Sequence, residues 1–146
     1  MNILKKFARK FTKKKKTVLI DTNIYFSRIV FASEVTIRLF DILDDFETVI
    51  TSQIKKELKR TVLKKFPKKA ENLDEFFKDF NCDLIDVPKN CDDIPTMRDD
   101  KDRPILAAAI FNDIDYLITG DKDFLVLEVK KPKILTMTEF IAKFSK

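Results

Sequence analysis

Five short runs of β-branched and leucine-type residues recur along the chain. They are Val18-Leu19-Ile20, Thr48-Val49-Ile50, Leu84-Ile85-Asp86-Val87, Tyr116-Leu117-Ile118 and Ile134-Leu135. Each is the length of a buried strand. The stretches between them repeat their apolar residues every three or four positions, which is the period of a helix face. Strands that alternate with helices need crossover connections, so the pattern predicts a mostly parallel sheet covered on both faces.

The helical stretches carry their own punctuation. Ile24 to Phe31 is apolar and reads as helical. Ser33 is placed to cap a helix with Val35, Leu39, Ile42, Leu43 and Phe46 on its inner stripe. Ser52 is placed to cap another, carrying Ile54, Leu58, Val62 and Phe66 and broken by Pro67. A further helix holds Ala70, Leu73, Phe76, Phe77 and Phe80. Pro104 suits the first turn of a helix reaching about Asn112, and Thr136 with Glu139 makes a capping box for the last helix. Between Pro88 and Arg103 lies an Asp-rich loop. Neither an internal repeat nor a domain linker is visible, so residues 17–146 are expected to form one domain behind a basic arm, residues 1–16.

Four carboxylates fall at corresponding places in this alternation. Asp21 follows the first strand, and Glu57 lies in the first turns of the helix after the second. Asp102 precedes the helix after the third strand, and Asp121 follows the fourth, with Asp123 two residues on. The strand ends of a parallel sheet share one edge, so these groups are expected to meet in one crevice. Like charges at close range repel, and such a cluster calls for a cation. Mg²⁺ or Mn²⁺ fits a site built of oxygens. Each acid also has an ordinary reading. Asp21 could begin a turn, Glu57 could pair with Arg60, and Asp102 could cap a helix. Asp99 and Asp100 could be solvated loop acids, and Asp121 with Asp123 could form a plain turn.

Absences narrow the chemistry. The chain has no histidine, which removes imidazole bases, Ser-His-Asp triads and His-ligated metals. It has one glycine, Gly120, which removes Gly-rich nucleotide loops. Cys82 and Cys91 lack metal-type spacing and read as free thiols in a reducing, cytoplasmic compartment. Neither a signal peptide nor a membrane-spanning run is expected. The net charge is +5, but the arm alone carries eight Lys and Arg and no acid, leaving −3 for the rest. The arm places Leu4, Phe7, Ala8 and Phe11 at helical spacing and reads as a basic amphipathic helix, a solvated tail, or a contact for RNA or an anionic surface. A second basic run, from Lys55 to Lys69, includes Lys55, Lys56, Lys59 and Arg60, and Glu57 is the one acid within it.

Four motifs resemble the PIN-domain nucleases in order and spacing. They are Val-Leu-Ile-Asp-Thr-Asn at 18–23, Thr-Ser-x-x-x-x-Glu-Leu at 51–58, Asp-x-Pro-Ile-Leu-Ala-x-Ala at 102–109 and Tyr-Leu-Ile-Thr-Gly-Asp-Lys-Asp-Phe at 116–124. The resemblance covers about residues 17–142 and is nearest to PIN proteins similar to VapC toxins. It implies a three-layer α/β/α fold and a metal-dependent endoribonuclease that hydrolyses phosphodiester bonds through metal-activated water. It places Asp21, Glu57, Asp102 and Asp121 on the family's catalytic, metal-holding acids and Asp123 on the additional metal-site acid. Asn23 and Ser52 would orient those carboxylates. The resemblance also implies a homodimer and a small protein antitoxin. Lys55, Lys56, Lys59 and Arg60, or the arm, would gather the RNA backbone. Arg103 departs from the pattern, because many relatives have another acid there. Two other readings are a non-catalytic RNA- or protein-binding module on a degenerate PIN fold and a haloacid-dehalogenase-type phosphatase. The latter family requires Asp-x-Asp after the first strand, and here position 23 is Asn.

Overall fold

The computed structural model describes residues 15–91 and 93–145. The expected helix of the arm therefore lies outside the described residues. Five strands form the central sheet: β1 (Thr17–Ile20), β2 (Glu47–Thr51), β3 (Asp83–Ile85), β4 (Tyr116–Ile118) and β5 (Lys133–Leu135). All four pairings are parallel, and the order is β3-β2-β1-β4-β5. Seven α-helices are present among the described residues: α1 (Thr22–Phe26), α2 (Glu34–Ile42), α3 (Ser52–Lys65), α4 (Ala70–Asp79), α5 (Arg103–Phe111), α6 (Lys122–Leu125) and α7 (Met137–Phe144). From β1 the chain steps outward through β2 to β3, then returns past β1 to β4 and β5. Right-handed crossovers consequently set α1 to α4 on one face and α5 and α6 on the other. With α7 packed on α2, the sheet is the middle of an α/β/α sandwich.

The central strands are buried because both their faces are covered. Val18, Leu19 and Ile20 are fully buried, as are Ile50, Leu117 and Ile118. Helix α5 is buried almost all round from Ile105 to Ala109, and its alanines let it lie close to the sheet. The third strand differs from expectation. It starts at Asp83 and stops at Ile85, and Leu84 is 61% exposed. As an edge strand it lacks a neighbour and cover on one side, so its apolar run ends earlier than the sequence pattern implied.

Local signals were largely followed, with three shifts. The apolar stretch after β1 begins as α1 and widens into a π-helical turn, Ser27–Phe31, closed by Ala32 in the left-handed region at φ 45°. At the next helix start the cap is Thr51 and not Ser52: the buried Thr51 hydroxyl accepts the Ile54 amide at 3.1 Å. Ser52 is exposed as the first helical residue. Ser33 stands at the start of α2 without bonding its amides, its hydroxyl instead meeting that of Thr36 at 3.0 Å. The capping box of Thr136 and Glu139 forms as expected.

Between α1, α2 and α4 the core is aromatic. Tyr25 is fully buried, with its ring centroid 5.7 Å from Phe40, 5.8 Å from Phe77 and 6.2 Å from Phe76. Such tilted and edge-on pairs let the positive ring edges meet the negative faces.

Candidate metal centre

In this strand order, the break in direction lies between β1 and β4. The two connections leave this point toward opposite faces of the sheet, so a crevice opens beyond the carboxyl ends of these strands. Register sets what faces it. Ile20 pairs with Ile118, and the amide of Asp21 donates to the Ile118 carbonyl at 3.0 Å. Asp21 and Thr119 therefore emerge side by side.

Thr119 is fully buried, and its hydroxyl holds two acids at once. It donates to Asp21 Oδ2 at 2.8 Å and accepts the Asp121 amide at 3.1 Å. The other oxygen of Asp21 accepts the backbone amide of Asn23 at 3.3 Å, capping α1. Burial pushes the Asp21 carboxyl up from its ordinary range. The bonds from Thr119 and Asn23 oppose that shift, and the Asp121 charge adds to it. Asp121 caps α6 in the same manner, its Oδ1 accepting the Asp123 amide at 2.9 Å. A Cβ built on Gly120 would meet nothing within 4 Å, so the turn between Thr119 and Asp121 is open.

Asp102 arrives from a 3-10 turn, Asp100–Asp102, that runs into α5. Its side chain makes no capping bond. Instead, carboxylate oxygens of Asp102, Asp121 and Asp123 lie within 4.8 Å of one another. Burial, then the charges of Asp121, Asp99, Asp21 and Asp123, raise the Asp102 carboxyl to about 6. Three half-buried carboxylates at this range offer three oxygen ligands to a hard divalent cation, which would remove the repulsion among them.

Glu57 reaches the same edge from the second turn of α3. The buried Thr22 hydroxyl, one residue after Asp21, donates to Glu57 Oε2 at 3.4 Å. Among the described residues no ion pair joins Glu57 to Arg60. The Asp21 charge acts on Asp102, but neither Asp21 nor Glu57 belongs to the compact trio. Arg103 does not pair with Asp102. Its Nη2 donates to the Cys91 carbonyl at 2.7 Å and the Ile94 carbonyl at 3.1 Å, tying the long loop to the start of α5. Asn23 is exposed and contributes its backbone amide alone.

Lys55, Lys56, Lys59 and Arg60 are all exposed on α3. Lys55 lies over the Phe77 ring, with its nitrogen 5.4 Å from the centroid. Lys56, Lys59 and Arg60 line a shallow groove of about 540 Å³ with Leu63 and Lys64. Glu57 and Arg60 are one turn apart, so the basic face of α3 adjoins the acid crevice.

A family model described as the PIN domain matches residues 17–123. The chain belongs to the PIN-domain family. No curated protein matches it. Among solved structures, a chain of the VapBC2 complex from Rickettsia felis, bound to a DNA fragment from its promoter, shares the fold. The TM-score is 0.64 at 17% identity, over 82% of this chain and 98% of that one. The family match thus runs from β1 through β4 and takes in Asp21, Glu57, Asp102, Asp121 and Asp123.

The sequence marks Thr22 as a group able to hold a carboxylate, which it does for Glu57, but it gives no such signal for the Thr119 hydroxyl. The Thr-Gly-Asp run contains Thr119, but a threonine at a strand end signals nothing until its partner strand is known. Thr119→Val removes the donor to a desolvated carboxylate and an acceptor for a backbone amide. It is expected to lower stability at neutral pH by about 1–3 kcal/mol, and Thr119→Ser by clearly less. Urea unfolding of both variants checks this, and equal losses would show that the methyl matters and the hydroxyl does not.

Proposed function

We propose that this PIN protein is a metal-dependent endoribonuclease and the toxin of a toxin–antitoxin pair. One observation carries the reading: Asp102, Asp121 and Asp123 converge within 4.8 Å, with the Asp21 charge acting on Asp102, at the point where α/β sheets open a crevice. A bound Mg²⁺ or Mn²⁺ would neutralise these charges and supply a water acidic enough to ionise near neutral pH. The chain's own residues supply the rest. Thr119 orients Asp21, Thr22 orients Glu57, and the exposed Lys56, Lys59 and Arg60 draw a single strand toward the rim.

A protein antitoxin belongs to the same reading. Phe31 is 62% exposed and makes a trio with Phe26 and Phe66, their ring centroids 5.7 to 6.0 Å apart. Exposed rings beside a basic helix give an acidic partner an anchor and a charged rim. A second copy of the chain, expected from the resemblance, is also proposed. Among the described residues no helix is long and apolar enough to cross a membrane.

The products test the proposal. With no histidine to deprotonate a 2′-hydroxyl, cleavage is expected to leave a 5′-phosphate and a 3′-hydroxyl, to require Mn²⁺ or Mg²⁺, and to survive a 2′-deoxy sugar at the scissile position. End-group analysis of a cleaved oligonucleotide, with and without chelator, reads all three. A 2′,3′-cyclic phosphate, or cleavage undiminished by chelator, would overturn the mechanism.

A further inference from the structure

A second groove of about 450 Å³ lies between α2 and α4. Its apolar floor includes Phe40, Phe76, Phe80 and Ile37, the last 40% exposed. Along its rim stand Asp41, Asp44, Glu75 and Asp79, all exposed, and none forms an ion pair among the described residues. Among the described residues, Arg28 is the one cation lining the groove. It lies over the Phe76 ring at 5.6 Å, and its buried Nε has no partner.

The groove sits at the edge of the sheet opposite the acid crevice. Asp41 and Asp44 belong to the segment that leads into β2, and Glu75 and Asp79 to the helix that leads into β3. The chain also enters β1 at this edge. The Glu47 amide donates to the Lys16 carbonyl at 2.9 Å, and Lys15 Nζ donates to the Asp44 carbonyl at 3.5 Å. Lys15, the first described residue, thus contacts a residue that lines the groove.

We propose that this groove is the seat of the protein's own N-terminal arm, residues 1–14. The arm carries Lys5, Lys6, Arg9, Lys10, Lys13 and Lys14 and no acid, against four carboxylates on the rim. Its Leu4, Phe7 and Phe11 recur at three- and four-residue spacing, which suits a strip of rings flanked by charge. Fourteen residues reach about 20 Å even if wholly helical, and further if extended. Tethering at Lys15 raises the arm's effective concentration at the groove to the order of mM, so modest contacts suffice. The rim charges are exposed, so salt weakens the seat. The arm is then held at the edge away from the acids, whatever chemistry those acids perform.

Carbodiimide coupling of the full-length protein tests this, because it joins an amine to a carboxylate only at contact. Equal parts of ¹⁵N-labelled and unlabelled protein are coupled at low salt and digested for mass spectrometry. The expected result is links from Lys5, Lys6, Lys10, Lys13 or Lys14 to Glu75 or Asp79, within isotopically pure peptides, fading at high salt. The double variant Glu75→Lys/Asp79→Lys is expected to speed tryptic removal of the arm several-fold at low salt with no change in melting temperature. Links between labelled and unlabelled chains would assign the arm to a second copy. No arm-to-rim links, or arm protection that appears only with RNA or anionic vesicles, would also overturn the proposal.

Discussion

Replacing Asp21 with Asn is expected to cut RNA cleavage by about 10²- to 10³-fold, the scale of losing one preorganised charged group in an active site. The same change is expected to raise the melting temperature of the metal-free protein at pH 7. The two effects have one cause. Burial, with the neighbouring Asp121 charge, holds the Asp21 carboxyl above its ordinary range, so the folded state disfavours the ionised form. An acid raised in this way contributes stability below its unfolded value, and that contribution is lost as pH rises through the raised one. At neutral pH the cost is fully present. Asn removes the charge while its oxygen can still accept the Thr119 hydroxyl. Mg²⁺ or Mn²⁺ should stabilise the wild type and have much less effect on the variant. Thermal melts with and without ion, paired with single-turnover cleavage, check both halves. An active variant, or one markedly less stable than wild type without metal, would remove Asp21 from the site.

Divalent-ion affinity is expected to fall steeply as pH drops through about 6. The Asp102 carboxyl is raised to about 6 by burial and by four neighbouring carboxylates, so an incoming ion must displace a proton below that pH. Affinity should then decline by about tenfold per pH unit for each proton displaced. In metal-free protein the same shift acts on folding. Its contribution is fully present below the ordinary value of 3.8 and is lost as pH rises toward 6. Asp102→Asn should abolish this part of both pH dependences and weaken the ion at pH 7.5. Calorimetric titration with Mn²⁺ between pH 5 and 7.5 reads the slope. An unchanged slope in the variant would assign the proton to another group.

The alternation of apolar runs and helical periods determined the parallel sheet, and the acids after its strands marked the edge where Asp102, Asp121 and Asp123 converge. These features were legible because a buried strand and an amphipathic helix each leave a local period in the chain. Local chemistry also placed the capping box at Thr136 and, to within one residue, the start of α3. Two things required the fold. Thr119 became the support of Asp21 only when β1 paired with β4, which joins residues 98 positions apart. Asp41, Asp44, Glu75 and Asp79 read as scattered surface charge until the fold brought them to the rim of one groove. A hydrogen bond or a charged rim depends on which elements become neighbours. The chain's local periods fix the elements, and only their packing fixes who faces whom.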